Sequence, residues 1–201
     1  MPYIGTMQQS LFDADGRKEA LAPGATALRG FARKRDVALL AAIETIAAKA
    51  PFRHMMTPGG FEMSVAMTNC GTAGWVTDRS GYRYQARDPQ SGAPWPAMPV
   101  EFLVLADEAA TAAGFATFAP DACLINRYEP GTKLSLHQDR DEADYAHPIV
   151  SVSLGLPATF QFGGPKRADP VRKVVLEHGD VVVWGGPSRL FHHGVLTLKS
   201  G

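Results

Sequence analysis

At 201 residues the chain is sized for one domain, and its 45% hydrophobic residues are enough to close a core. Its 20 basic and 20 acidic residues cancel, which excludes a strongly basic nucleic-acid coat; any such contact has to come from local clusters and be salt-sensitive. Two cysteines, Cys70 and Cys123, exclude a disulfide framework and read as reduced thiols. No apolar run reaches membrane-spanning length and the start lacks a secretory pattern, so a cytoplasmic monomer with no membrane partner is expected.

Residues 1–20 are polar and aperiodic and read as a loose arm. Leu39, Ile43, Ile46 and Ala50 recur at helical spacing, which predicts a helix over Arg35–Lys49 that stops at Pro51. Residues 52–97 mix Met, Trp and Tyr with Gly, Pro and Thr and read as short strands and loops forming a flap. A second helix is predicted over Pro99–Ala113, ended by Gly114. From residue 121 to 201 the pattern turns to short strands: Ala122–Glu129, Ile149–Leu154, Thr159–Phe162, Arg172–Leu176 and Val181–Trp184. With 20 Gly and 15 Pro between such runs, a mainly β, α+β sandwich or jelly roll is the expected core.

The sharpest chemical feature is His137-Gln138-Asp139 followed far downstream by His193. Two positions apart on an extended segment, His137 and Asp139 point the same way. A second histidine from a distant strand completes two imidazoles and one carboxylate on one face of a metal. That set leaves open positions, as non-heme Fe(II) oxygenases require. A bare His-x-Asp is common by chance and otherwise reads as a surface pair. Here Tyr128-Glu129-Pro130-Gly131 supplies a turn before it, and Gly179–Trp184 supplies a buried strand leading toward His193.

Beyond the metal motif, the runs Ala122–Gly131, Leu134–Asp139, Ile149–Pro157, Phe160–Gly164, His178–Gly186 and Ser188–Gly194 closely resemble the AlkB family. The flap resembles it too, in Thr57–Gly60, Met63–Gly71 and Pro94–Met98, so the likeness covers nearly all of Leu21–Gly194. It implies a double-stranded β-helix of the jelly-roll kind, with flanking helices and an N-terminal nucleotide-recognition lid. It also implies an Fe(II)- and 2-oxoglutarate-dependent dioxygenase. Such an enzyme uses dioxygen to remove methyl groups from N1-methyladenine and N3-methylcytosine, in single- or double-stranded DNA and in RNA, with release of formaldehyde, succinate and carbon dioxide.

By this likeness His137, Asp139 and His193 are the iron ligands and the catalytic set, and His192 is a packing histidine beside them. Asn126, Arg127, Tyr128 and Leu134 are expected at the 2-oxoglutarate site. Strand alternation places Ala122, Leu124, Asn126 and Tyr128 on one face, apolar at one end and hydrogen-bonding at the other. A methylated, cationic base favours aromatic faces and a carboxylate. Trp75 and Tyr82 fit the first role, with His137 across the ring, and Asp141 the second. Met63 and Met67 are expected to line the lid, with core packing as the plainer alternative. Thr57, Arg83 and Tyr84 are expected at the nucleotide backbone, and Arg167 ranks first for phosphate, ahead of Arg79, Arg83, Arg87, Arg127, Lys133, Arg140 and Lys166.

The family continues past the last iron histidine into a strand with an arginine for the distal carboxylate of 2-oxoglutarate. Here Lys199 is the one basic residue after His193, so a longer natural protein is expected. Three other readings stay open: a dioxygenase acting on a protein or metabolite, a non-catalytic nucleic-acid reader, and a metal-binding cupin without redox chemistry.

Overall fold

A computed structural model describes residues 16–200. The strands are β1 (Lys18–Ala22), β2 (Ala25–Leu28), β3 (Arg53–Met56), β4 (Glu62–Gly71), β5 (Gly74–Asp78), β6 (Gly81–Gln85), β7 (Ala122–Arg127), β8 (Leu134–His137), β9 (Ile149–Val152), β10 (Ala158–Phe162), β11 (Arg172–Leu176), β12 (Val181–Trp184) and β13 (His193–Val195). Helix α1 (Asp36–Lys49) precedes β3, and α2 (Val100–Ala112) precedes β7.

Two four-stranded sheets, ordered β1-β2-β12-β9 and β11-β10-β13-β8, make the jelly roll. Strand alternation explains how they pack. Val182 and Trp184 point inward with Ala25 and Ala27, against Phe160, Phe162, Val174 and Leu176 of the other sheet. Val181 and Val183 point outward, where Leu39 of α1 and Leu105 and Ala109 of α2 cover them. The run Val-Val-Val-Trp is apolar throughout because both of its faces are covered. Helix α1 begins with Asp36, a carboxylate at the positive end of the helix, and buries Leu39 and Ile46.

A three-stranded sheet, β3-β4-β7, and the hairpin β5-β6 stand beside the roll. Val65, Met67, Val76 and Trp95 form their core, with Leu124, Tyr128 and Leu134 packed against it. Cys70 and Cys123 face each other across β4 and β7 as free thiols.

The structure corrects several sequence boundaries. The arm expected over residues 1–20 gives way to β1 at Lys18, and residues 1–15 lie outside the described residues. The roll expected over 121–201 takes two strands, β1 and β2, from the chain's first thirty residues, while β7 pairs with β4. Residues 52–97 are therefore tied into the body through β4 and β7, and the β5-β6 hairpin is the part that stands apart. Among the described residues no helix is long and apolar enough to cross a membrane.

Candidate metal centre and nucleotide site

Antiparallel pairing of β13 with β8 sets His193 directly opposite His137, and their rings lie 4.4 Å apart. This close pairing needs a glycine at position 194, where a Cβ would sit 2.6 Å from the Leu134 carbonyl oxygen. Asp139, just past the end of β8, turns one carboxylate oxygen to each ring, 3.4 Å from His137 Nε2 and 3.4 Å from His193 Nε2. The three donor atoms lie within 4.8 Å of one another.

Both imidazoles are held by one device. His137 Nδ1 lies 2.8 Å from the Ser135 carbonyl and His193 Nδ1 lies 3.1 Å from the Phe191 carbonyl, each two residues upstream. A carbonyl only accepts, so Nδ1 carries the proton of the neutral ring and Nε2 keeps its lone pair toward the shared point. Burial pushes the Asp139 carboxyl up, but the His137 and His193 rings beside it hold it far below the usual range. Burial likewise lowers His137, and Asp139 and the Ser135 carbonyl outweigh it to raise the ring, with Arg167 opposing. An ionised carboxylate with two neutral nitrogen donors, and no cysteine, is the donor chemistry of a ferrous site.

His193 is 5% exposed. It packs against Trp184 at 4.7 Å and Phe160 at 6.1 Å between ring centroids, a dry wall on one side of the metal position. The Trp184 indole N–H and the Asn126 amide oxygen are buried without a hydrogen-bond partner. The unmet indole donor beside an apolar wall fits a small dicarboxylate, which accepts from it. Tyr128 and Leu134 pack against the β3-β4-β7 core, and burial, with the nearby Asp139 charge, pushes the Tyr128 hydroxyl up, so it stays a neutral donor. Alternation sets Arg127 on the opposite side of β7 from Asn126 and Tyr128, and it stacks over Phe52 at 4.7 Å.

On the β5-β6 hairpin Trp75 and Tyr82 stack with centroids 5.6 Å apart and planes 18° from parallel. The Trp75 indole N–H donates to Asp141 at 2.8 Å, two residues beyond Asp139. The Tyr84 hydroxyl donates to Glu142 at 3.0 Å, and burial followed by the Glu142 charge raises it. Arg83 points to the other face of the hairpin, where it grips Asp78 through two nitrogens at 2.6 and 3.0 Å. Arg167 donates to the Leu136 carbonyl, beside His137. Thr57 accepts the Phe61 amide in the β3-β4 turn. Met63 is half-buried, whereas Met67 is 1% exposed, deep in the β3-β4-β7 core. His192 lies 3.2 Å from the Gly164 carbonyl and stays out of the metal set.

Sequence reasoning missed three residues. Asn69, fully buried, exchanges two hydrogen bonds of 3.0 Å with the Trp75 backbone and so fixes the hairpin. Trp184, which its strand pattern marks only as core, also lies against His193. Arg189 is an isolated cation in an apolar stretch, the one sequence signal that it is buried for a purpose.

The sequence pattern of the 2OG-Fe(II) oxygenase superfamily matches residues 24–201. The alpha-ketoglutarate-dependent dioxygenase AlkB of Salmonella typhimurium is 61% identical over 184 residues, 92% of this chain and 85% of the relative. The protein of the same name from Escherichia coli is 62% identical over 189 residues, 94% of this chain and 88% of the relative. The solved structure of OsALKBH1 superposes with a TM-score of 0.80 at 30% identity, covering 91% of this chain and 88% of that one.

Proposed function

The chain belongs to the AlkB family within the 2OG-Fe(II) oxygenase superfamily, and we propose that it removes methyl groups from N1-methyladenine and N3-methylcytosine in DNA and RNA. It is an Fe(II)- and 2-oxoglutarate-dependent dioxygenase that dealkylates nucleic-acid bases oxidatively. The observation that carries the finer reading is the 2.8 Å bond from Trp75 to Asp141, two residues from Asp139. An aromatic plate on the hairpin is thus joined to a carboxylate for a cationic base on the segment that carries the metal carboxylate.

When bound, iron and 2-oxoglutarate supply the oxidation: one atom of dioxygen goes to the methyl carbon and one to 2-oxoglutarate, which leaves as succinate and carbon dioxide. The hydroxymethyl group left on the ring nitrogen departs as formaldehyde. His137, Asp139 and His193 would hold the iron. Asn126, Tyr128 and Trp184 offer polar contacts to 2-oxoglutarate, with Leu134 as an apolar wall. Trp75 and Tyr82 receive the base, Asp141 accepts from its amino group through the oxygen Trp75 leaves free, and Arg167 meets phosphate. A base inside a duplex must be flipped out to reach this point. The free thiols fit a reducing cytoplasm.

The test is succinate and formaldehyde release with iron, 2-oxoglutarate and methylated single- and double-stranded oligonucleotides. Formaldehyde that depends on the methylated base is the expected result. Succinate that forms regardless of the oligonucleotide would point to a protein or metabolite substrate. Binding of methylated oligonucleotide without succinate would point to a reader.

A further inference from the structure

We propose that Arg189 is a positioning residue that couples docking of the damaged base to placement of the metal carboxylate, acting through Glu142 and Tyr84. The proposal rests on the dealkylation reading above.

Arg189 follows the short turn Gly186–Ser188 and stands four residues before His193. Its side chain is 5% exposed. Each guanidinium nitrogen faces a partner: Nε donates to the His147 carbonyl at 3.1 Å, Nη1 donates to the Asp139 carbonyl at 2.9 Å, and Nη2 forms an ion pair with Glu142 Oε2 at 3.2 Å without the alignment of a hydrogen bond. The guanidinium carbon lies 5.3 Å from the centre of the Tyr145 ring. All four partners belong to residues 139–147, which form neither helix nor strand between β8 and β9. A segment without a ladder of its own is thus organised round one buried cation. A buried charge persists only where its donors are met.

The same segment faces the hairpin. Glu142 is shared, with Oε2 toward Arg189 and Oε1 accepting from Tyr84. Asp141 accepts from Trp75. A base entering against Trp75 and Tyr82 therefore bears on two carboxylates, and one is held by the guanidinium that also grips the Asp139 backbone. Arginine suits this task because its planar fork reaches acceptors in several directions; lysine meets them as a point charge.

A residue that merely stabilised the fold would change the melting temperature alone. A positioning residue also changes how faithfully oxidation is spent on the base. The experiment uses protein loaded with Fe(II) and 2-oxoglutarate and a methylated single-stranded oligonucleotide. It measures succinate formed per formaldehyde, oligonucleotide affinity by fluorescence anisotropy with Mn(II) in place of iron, and the melting temperature. In Arg189→Lys the succinate-to-formaldehyde ratio rises at least threefold over wild type and affinity falls about tenfold, the scale of one charge-assisted contact. Glu142→Gln, on the exposed side of the contact, moves both readouts the same way, and the double variant is no worse than Arg189→Lys because the two act as one unit. Should Arg189→Lys not fold, Glu142→Gln alone decides. A wild-type ratio in the folded variants, or effects that simply add, overturns the proposal while wild-type dealkylation stands. A wild-type protein that releases no formaldehyde overturns the dealkylation reading and the proposal with it.

Discussion

Trp75 and Asp141 are joined by an indole N–H to carboxylate hydrogen bond of 2.8 Å, although 66 residues separate them. The bond ties the aromatic hairpin to the segment that bears Asp139. Trp75→Phe keeps a ring for stacking and removes the N–H. It should raise KM for a methylated oligonucleotide about tenfold, the value of one hydrogen bond to a charged group, and change kcat less. Steady-state formaldehyde release checks it, and an unchanged KM would show that the bond does not set the site.

Asn69 is the hinge pin behind that hairpin. Asn69→Ala strands the amide and carbonyl of Trp75 in a half-buried position, at a cost of about 1–2 kcal/mol. Urea unfolding should show a lower midpoint with an unchanged slope. Loss of stability below about 0.5 kcal/mol would mean the site relaxes or takes in water.

Gly194 bears on the metal centre through packing. In Gly194→Ala the added Cβ meets the Leu134 carbonyl at 2.6 Å and backbone atoms of Ser135 and Leu136 at 3.0 and 3.1 Å. Strands β8 and β13 must part, and His193 moves from its place opposite His137. Overpacking of this kind costs about 1–3 kcal/mol. Co(II) affinity, read from its visible absorption, should fall with stability; wild-type affinity would show that the strands yield without moving the ligands.

The pH dependence of stability has a readable contributor in Asp88, 5% exposed and 2.6 Å from Arg53. Burial pushes its carboxyl up, but Arg53, the Gln90 amide and the Ser91 hydroxyl outweigh it and hold it below the usual range. The folded value is depressed, so the contribution is complete above the unfolded carboxylate value of about 4 and is lost as pH falls through the folded value. The melting-temperature gap between wild type and Asp88→Asn should therefore be widest at pH 6 and close toward pH 3. A gap that widens in acid would reverse the sign.

Much of this architecture is legible locally. Leu39, Ile46 and Ala50 announce α1, and Val181–Trp184 announces a strand buried on both faces. The metal set is legible because His137 and Asp139 share a short segment and the residues around them resemble a known family. Strand β1 was hidden because Lys-Glu-Ala-Leu-Ala carries no alternation and is ordered by pairing with β2. Pairing of β4 with β7 joins residues more than fifty positions apart, which no local pattern encodes. Strand alternation sets Arg127 over Phe52 and Arg83 against Asp78, and core packing covers Met67, contacts that motif position does not encode. Asn69 and Arg189 acquire their roles only from partners brought by the fold.

His137, Asp139 and His193 bring three donor atoms close enough to hold one metal ion. Anaerobic titration of Fe(II) in the presence of 2-oxoglutarate, followed by absorption, tests it most directly. Wild-type protein should saturate at one ion per chain, and Asp139→Ala and His193→Ala should each abolish that stoichiometric step while remaining folded. Full saturation of either variant at wild-type affinity would place the metal elsewhere and contradict the account.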